Sequence, residues 1–215
     1  MNDVIRILGR ANSTNVWKPL WVLEELGLPY ERSDAGMEHG VVDSPDYRAL
    51  NPNGRVPSLR HGDVELWESN SICRYLCLLA GGDAKGLYPT EPGKRASVDR
   101  WMDWQLSTLS PAERDLFWGM VRTPDDKRDM TAVRNAVTNS AKCWAILEQR
   151  LRDGRRYIDG DTLTLADIIL GCFARRWFGP EVRVPGMPEF PALQTWFERL
   201  GERPGFQKFV APKLF

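Results

Sequence analysis

Strand-like runs are confined to the first third of this 215-residue chain, and that asymmetry limits the folds open to it. Val4-Ile5-Arg6-Ile7-Leu8 is a short apolar run bounded by Gly9, and Tyr30-Glu31-Arg32 is a second brief strand signal. Ser58-Leu59-Arg60-His61 and Val64-Glu65-Leu66-Trp67 flank Gly62-Asp63, a two-residue connection suited to a tight hairpin. Between these runs Val16, Leu20, Leu23 and Leu26 recur at near-helical spacing until Gly27 stops the pattern. The stretch from Glu38 to Leu50, with Pro45 near a helix start, reads as an irregular helical crossover. Ser69 opens a further helix carrying Ile72, Leu76 and Leu79. The order βαβαββα predicts an α/β domain over residues 1–82, a mixed sheet with helices packed on it.

Glycine and proline then crowd the chain, at Gly81, Gly82, Gly86, Pro89, Pro92 and Gly93, marking a linker over residues 83–93. Beyond it only helical patterns occur, near 94–121, 126–152, 164–178 and 191–202, so residues 94–215 are expected to form an all-helical second domain. Inside it Thr164 reads as a helix N-cap, Asp167 as its acidic partner three residues on, and Leu163 with Ile168 as the hydrophobic staple. This is a structural signal and implies no chemistry.

Charge and cysteine usage narrow the function classes. Lys plus Arg and Asp plus Glu both number 29, so no basic field recruits nucleic acid or an anionic membrane. No segment approaches the roughly 20 apolar residues of a membrane helix, and the first residues lack the pattern of a secretory signal. Cys73, Cys77, Cys143 and Cys172 show neither a CxxC pair nor zinc-ligand spacing, which suggests free thiols in a reducing cytoplasm. Cys73 and Cys77 share a helical face and read as small buried hydrophobes, with oxidant sensing as the alternative. Neither histidine belongs to a ligand cluster, so no metal is expected.

Three short stretches are candidates for chemistry. In Asn51-Pro52-Asn53-Gly54-Arg55-Val56-Pro57-Ser58-Leu59 a proline stands just before a strand, where its missing N–H is awkward. Pro57 is then either an ordinary loop proline or the second residue of a cis bond that turns the Val56 backbone groups outward, to pair with a peptide ligand. Trp67-Glu68-Ser69-Asn70-Ser71 is either a helix cap or a receptor for a free amino-acid head group, Ser69 and the helix start taking the carboxylate and Glu68 the ammonium. Arg10-Ala11-Asn12-Ser13-Thr14-Asn15-Val16 leads into the first helix, and Asn12, Ser13, Thr14 and Asn15 are each candidates to cap it.

Together with Leu163-Thr164-Leu165-Ala166-Asp167 far downstream, these motifs resemble the cytosolic glutathione transferase family, and the resemblance covers nearly the whole chain. The runs GRANSTNV, WVLEELGLPYE and LWESNSICRYL are similar to bacterial members near the theta, delta and nu classes. The resemblance implies a thioredoxin-like first domain that binds glutathione as co-substrate, and a helical domain that binds a small electrophile. By the same resemblance Val56, next to cis-Pro57, pairs with the cysteinyl part of glutathione, while Glu68 and Ser69 hold its γ-glutamyl end. Arg55 lines the tripeptide, and His39 is a candidate for the glycyl carboxylate. Ser13 matches the thiol-activating serine, with Asn12 as the alternative. Gln105, Phe117 and Trp177 are cleft candidates for the electrophile, although tryptophan on a helix is commonly core. Relatives are typically homodimers. The rival readings are dehalogenation or peroxide reduction by the same thiolate, and a non-catalytic glutathione- or partner-binding module.

Overall fold

Alternation of apolar and charged side chains places β1 (Ile5–Leu8) at the centre of a sheet, with Ile5 and Ile7 buried and Arg6 exposed. The computed structural model describes residues 3–81 and 83–212. β1 pairs in parallel with β2 (Tyr30–Ser33) and antiparallel with β3 (Ser58–His61), which pairs antiparallel with β4 (Val64–Trp67), so the strand order is β2-β1-β3-β4. Gly62, at φ 57°, supplies the left-handed backbone that the β3–β4 hairpin requires. Helix α1 (Thr14–Leu26) ends at Gly27, whose left-handed backbone directs its N–H to Leu23 and Glu24. Helix α2 (Pro45–Leu50) starts where Pro45 was expected to start it, with the Ser44 side chain accepting from Tyr47 N–H. Helix α3 (Ser69–Leu79) packs against α1. This is the mixed, four-stranded sheet with helices that the pattern predicted.

The described residues up to Thr90 form one compact unit together with Pro204–Pro212. The sequence reading gave that last segment to the helical domain, and here it must be corrected. The last helix, α9 (Pro204–Phe209), lies on α1, where Phe206 meets Trp21 edge to face at 5.5 Å and Lys208 pairs with Glu24 at 2.7 Å. A six-residue helix is too short to show a period, so its apolar contact could not be assigned from spacing.

The second unit runs from Glu91 to Arg203. Helix α4 (Pro92–Trp104) begins two residues before its expected start, because the Glu91 carboxylate accepts from Gly93 N–H and Lys94 N–H at 2.8 Å. A π-helical turn (Gln105–Leu109) joins it to α5 (Ser110–Phe117), and a second π turn (Trp118–Arg122) follows. Helices α6 (Met130–Leu151), α7 (Leu165–Phe178) and α8 (Pro191–Gly201) complete it, around a core that includes Trp144, Phe173, Trp177 and Trp196. The capping box at Thr164 and Asp167 forms as expected. Asp167 does more than cap: its fully buried carboxylate also accepts from Ile158 N–H at 2.8 Å and from Trp196 Nε1 at 2.9 Å. All four cysteines are buried and none is in a disulfide. Among the described residues no helix is long and apolar enough to cross a membrane.

Candidate active site

The β1–α1 loop, the Arg55–Pro57 segment and the start of α3 leave the sheet at one end. The register shows why: Leu8 pairs with Ser58, and Ser58 with Trp67, so residues 9–13, 55–57 and 68–69 emerge side by side. Gly9 lets them close up. A Cβ on it would stand 2.5 Å from Val16 Cγ2 and 3.3 Å from Val56 Cβ, so any side chain would push the Val56 loop off α1.

Ser13 is the N-cap residue of α1, in extended backbone at φ −105°, and its carbonyl accepts from Val16 N–H and Trp17 N–H at 2.8 and 3.0 Å. Its hydroxyl makes no capping bond, although only 7 % of the residue is exposed. The polar group at the positive end of the helix is thus left for something else. Asn12 is half-buried beside it, and its Oδ1 has no hydrogen-bond partner.

The Val56–Pro57 bond is cis. The preceding turn is held by its own side chains: the Arg55 carbonyl accepts from Tyr47 Oη at 2.7 Å and from Asn51 Nδ2 at 2.8 Å, and Ser58 Oγ lies 3.0 Å from Tyr47 Oη. Pro57 is buried, Arg55 is exposed, and Val56 is half-buried with neither main-chain group paired among the described residues. An edge with one free N–H and one free C=O accepts an extended peptide.

Glu68 precedes α3 at φ 69°, a conformation costing about 1–3 kcal/mol for a residue with a Cβ. It does not cap the helix with its side chain, which is exposed. Ser69 is buried, and its hydroxyl accepts from Lys18 Nζ at 3.4 Å while Asn70 Oδ1 accepts from the same ammonium at 3.1 Å. Lys18 is 0 % exposed. The sequence reading missed it, although a signal existed: Val16, Trp17, Leu20, Trp21, Val22 and Leu23 surround the helix with apolar groups and leave Lys18 no solvent face. A buried cation behind the start of α3 makes that corner receptive to a carboxylate.

The other expected site residues are placed less simply. His39 lies on the exposed turn Met37–His39, with Nε2 3.4 Å from Glu38 Oε1 and 3.7 Å from Asp34 Oδ1. Gln105 and Trp177 are fully buried in the second unit and Phe117 is 7 % exposed. Trp177 packs between Trp144 and Phe190, with ring centroids 6.3 and 5.9 Å away, and the Arg176 guanidinium covers Phe117 at 4.1 Å. Trp177, a cleft candidate by its place in the family, is therefore in the core, with its ring spent on its neighbours, and Gln105 is equally buried. In the same unit burial pushes the Glu113 carboxyl up to about 8, with Trp144 Nε1 donating to it at 2.9 Å. Among the described residues no cluster suited to a metal ion occurs.

Known proteins resemble this chain over nearly its full length. Residues 12–79 match the family model for the glutathione S-transferase N-terminal domain, and residues 130–199 the model for its C-terminal domain. The chain is 41% identical over 209 residues to glutathione S-transferase GstB of Escherichia coli K12, covering 96% of this chain and 98% of that one. It is 31% identical to the probable glutathione S-transferase GSTF2 of Oryza sativa subsp. japonica, covering 96% of each. The theta class glutathione S-transferase of Xanthomonas axonopodis pv. citri, solved with glutathione bound, superposes with a TM-score of 0.92 at 44% identity, covering 99% of this chain and all of that one. Two matched domain models and a relative alike over nearly the full chain establish that this protein belongs to the glutathione S-transferase family.

Proposed function

We propose that this protein conjugates glutathione to a small electrophile, with Ser13 holding the cysteinyl sulfur as thiolate. The observation that carries the reading is the Ser13 hydroxyl, at the positive end of α1 and free of the capping bond that would occupy it. The magnitudes agree. Lowering a thiol from about 8.5 to about 6.5 takes roughly 2.7 kcal/mol of preferential thiolate stabilisation. A hydrogen bond to a charged group supplies about 1.5–3 kcal/mol and a helix N-terminus about 0.3–1 kcal/mol, so the two suffice. The thiolate then attacks the electrophile while both reactants are held in one site.

In this reading the Val56 main chain pairs with the cysteinyl residue, Ser69 and the start of α3 take the γ-glutamyl carboxylate above Lys18, and Glu68 takes the ammonium. Arg55 stands beside the tripeptide. The protein works as a homodimer in a reducing cytoplasm, a setting that four cysteines outside any disulfide support. Replacing Glu68 with Gln keeps the shape and removes the charge. Because Glu68 is exposed, the dissociation constant for glutathione should rise only about fivefold, read by calorimetry, with the thiol pKa unmoved.

The direct test is a pH titration of the ultraviolet thiolate absorbance of bound glutathione. Ionisation about two units below the free thiol supports activation. Binding with an unshifted thiol would leave a glutathione-binding module and end the catalytic reading.

A further inference from the structure

Arg10 stands two residues beyond β1 and three before Ser13, and no role falls to it in the site described so far. Its main-chain N–H donates to the Ala35 carbonyl at 3.1 Å, so its backbone is fixed at the end of the sheet. The side chain is half-buried. Its Nε is enclosed with no hydrogen-bond partner, and the guanidinium forms no ion pair with any described residue. A buried guanidinium nitrogen without an acceptor is unusual, because its desolvation is left uncompensated.

The surroundings say what the missing acceptor must be. Arg10 Nη1 and Val56 Cγ1 each lie 3.3 Å from the point where a Cβ would stand on Gly36, so the absent side chain there lets the guanidinium come up to the Val56 edge. The ionisable groups of β2 and the β2–α2 connection are engaged mainly with one another. Asp34 is engaged by Arg32, His39 lies near both Asp34 and Glu38, and Glu38 exerts the one attraction on Arg10 while staying beyond ion-pair distance. The site therefore keeps a cation unmatched beside the Val56 edge, in the same β1–α1 loop that carries Ser13. An anion brought there by a ligand would complete it.

We infer that Arg10 is a second thiolate-binding residue, its guanidinium donating to the cysteinyl sulfur alongside the Ser13 hydroxyl. The inference rests on the glutathione transferase reading above. On binding, the thiol S–H bond breaks heterolytically, the proton passes to solvent, and the electron pair stays on sulfur. Arg10 and Ser13 hold that pair until it forms the C–S bond, while the electrophile's leaving group departs to solvent as an anion with the pair of the bond that breaks.

The test uses wild type, Arg10→Gln and Arg10→Lys, with two measurements on each: the thiol pKa of bound glutathione, and the dissociation constant of S-methylglutathione, which has no ionisable sulfur. Arg10→Gln should raise the thiol pKa by at least about one unit, leaving roughly tenfold less thiolate below that pKa, while S-methylglutathione binds within about twofold of wild type. Arg10→Lys, which keeps the charge, should recover part of the shift. If Arg10→Gln leaves the thiol pKa where it was and weakens S-methylglutathione instead, the guanidinium serves a carboxylate and the inference is wrong. An unshifted thiol in the wild type overturns the transferase reading and this inference together, a result distinct from a shift that survives in Arg10→Gln. Circular dichroism of both variants checks that each is folded.

Discussion

Asp167→Ala should cost this protein at least about 4 kcal/mol of stability, a large part of the 5–15 kcal/mol that holds a typical domain together. The carboxylate takes four donors: the main-chain N–H groups of Ile158 and Thr164, the Thr164 hydroxyl and Trp196 Nε1, at 2.8 to 3.0 Å. Truncation strands the N–H groups of Ile158, Thr164 and Trp196 in a dry interior, each costing about 1–3 kcal/mol, and removes half of the capping box of α7. In a chain of this length the melting temperature should drop by roughly 10–15 °C. Asp167→Asn should be nearly as damaging, because an amide turns a donor towards donors. The pH dependence carries a defined sign. Burial raises the carboxyl from its ordinary 3.8 to about 6, so the folded protein holds this proton more tightly than the unfolded chain. The stability gap between wild type and Asp167→Ala should therefore widen as pH falls from about 6 to about 4. A variant melting within a few degrees of wild type would show that the network carries little of the fold.

Ser13→Ala is expected to lower kcat/KM for a generic aryl halide by about 10- to 150-fold at neutral pH, the range set by losing one hydrogen bond to a charged atom. Glutathione should still bind, because the edge at Val56 and the head-group corner at Ser69 are untouched. The thiol pKa in the variant is higher, so the activity profile should move to higher pH and the deficit should shrink once solvent deprotonates the thiol unaided. Ser13→Thr retains a hydroxyl and should recover part of the rate. Turnover within twofold of wild type at neutral pH would instead give the sulfur to Asn12 or Arg10, the other polar groups of that loop.

The features that were legible in advance share one property: their causes are local. The β3–β4 hairpin follows from Gly62-Asp63, the α7 start from Thr164 and Asp167, and the α2 start from Pro45. Ser13, Val56 and Ser69 were legible as candidates because each stands at an element boundary, where polar backbone is left over. What escaped depends on partners distant in sequence. Lys18 is buried because α3 supplies Ser69 and Asn70 some fifty positions later. Arg10 is enclosed by residues 36 and 56, and a lone arginine in a loop gives no local hint of that. Trp177 was expected at a cleft on the strength of its position in the family, yet Trp144 and Phe190 close over it. The π turns on either side of α5 leave no trace in a pattern that both helix types satisfy.

The seat of α9 on α1 bears on how the protein is made. The face of α1 around Trp21 is finished by Phe206 and Lys208, which leave the ribosome only after the whole of Glu91–Arg203 has been synthesised. At about 5–20 residues per second the nascent sheet domain waits roughly six to twenty-five seconds with that indole uncovered. During translation it is thus an incomplete domain with a sticky flank, and a nascent-chain chaperone has its longest opportunity there.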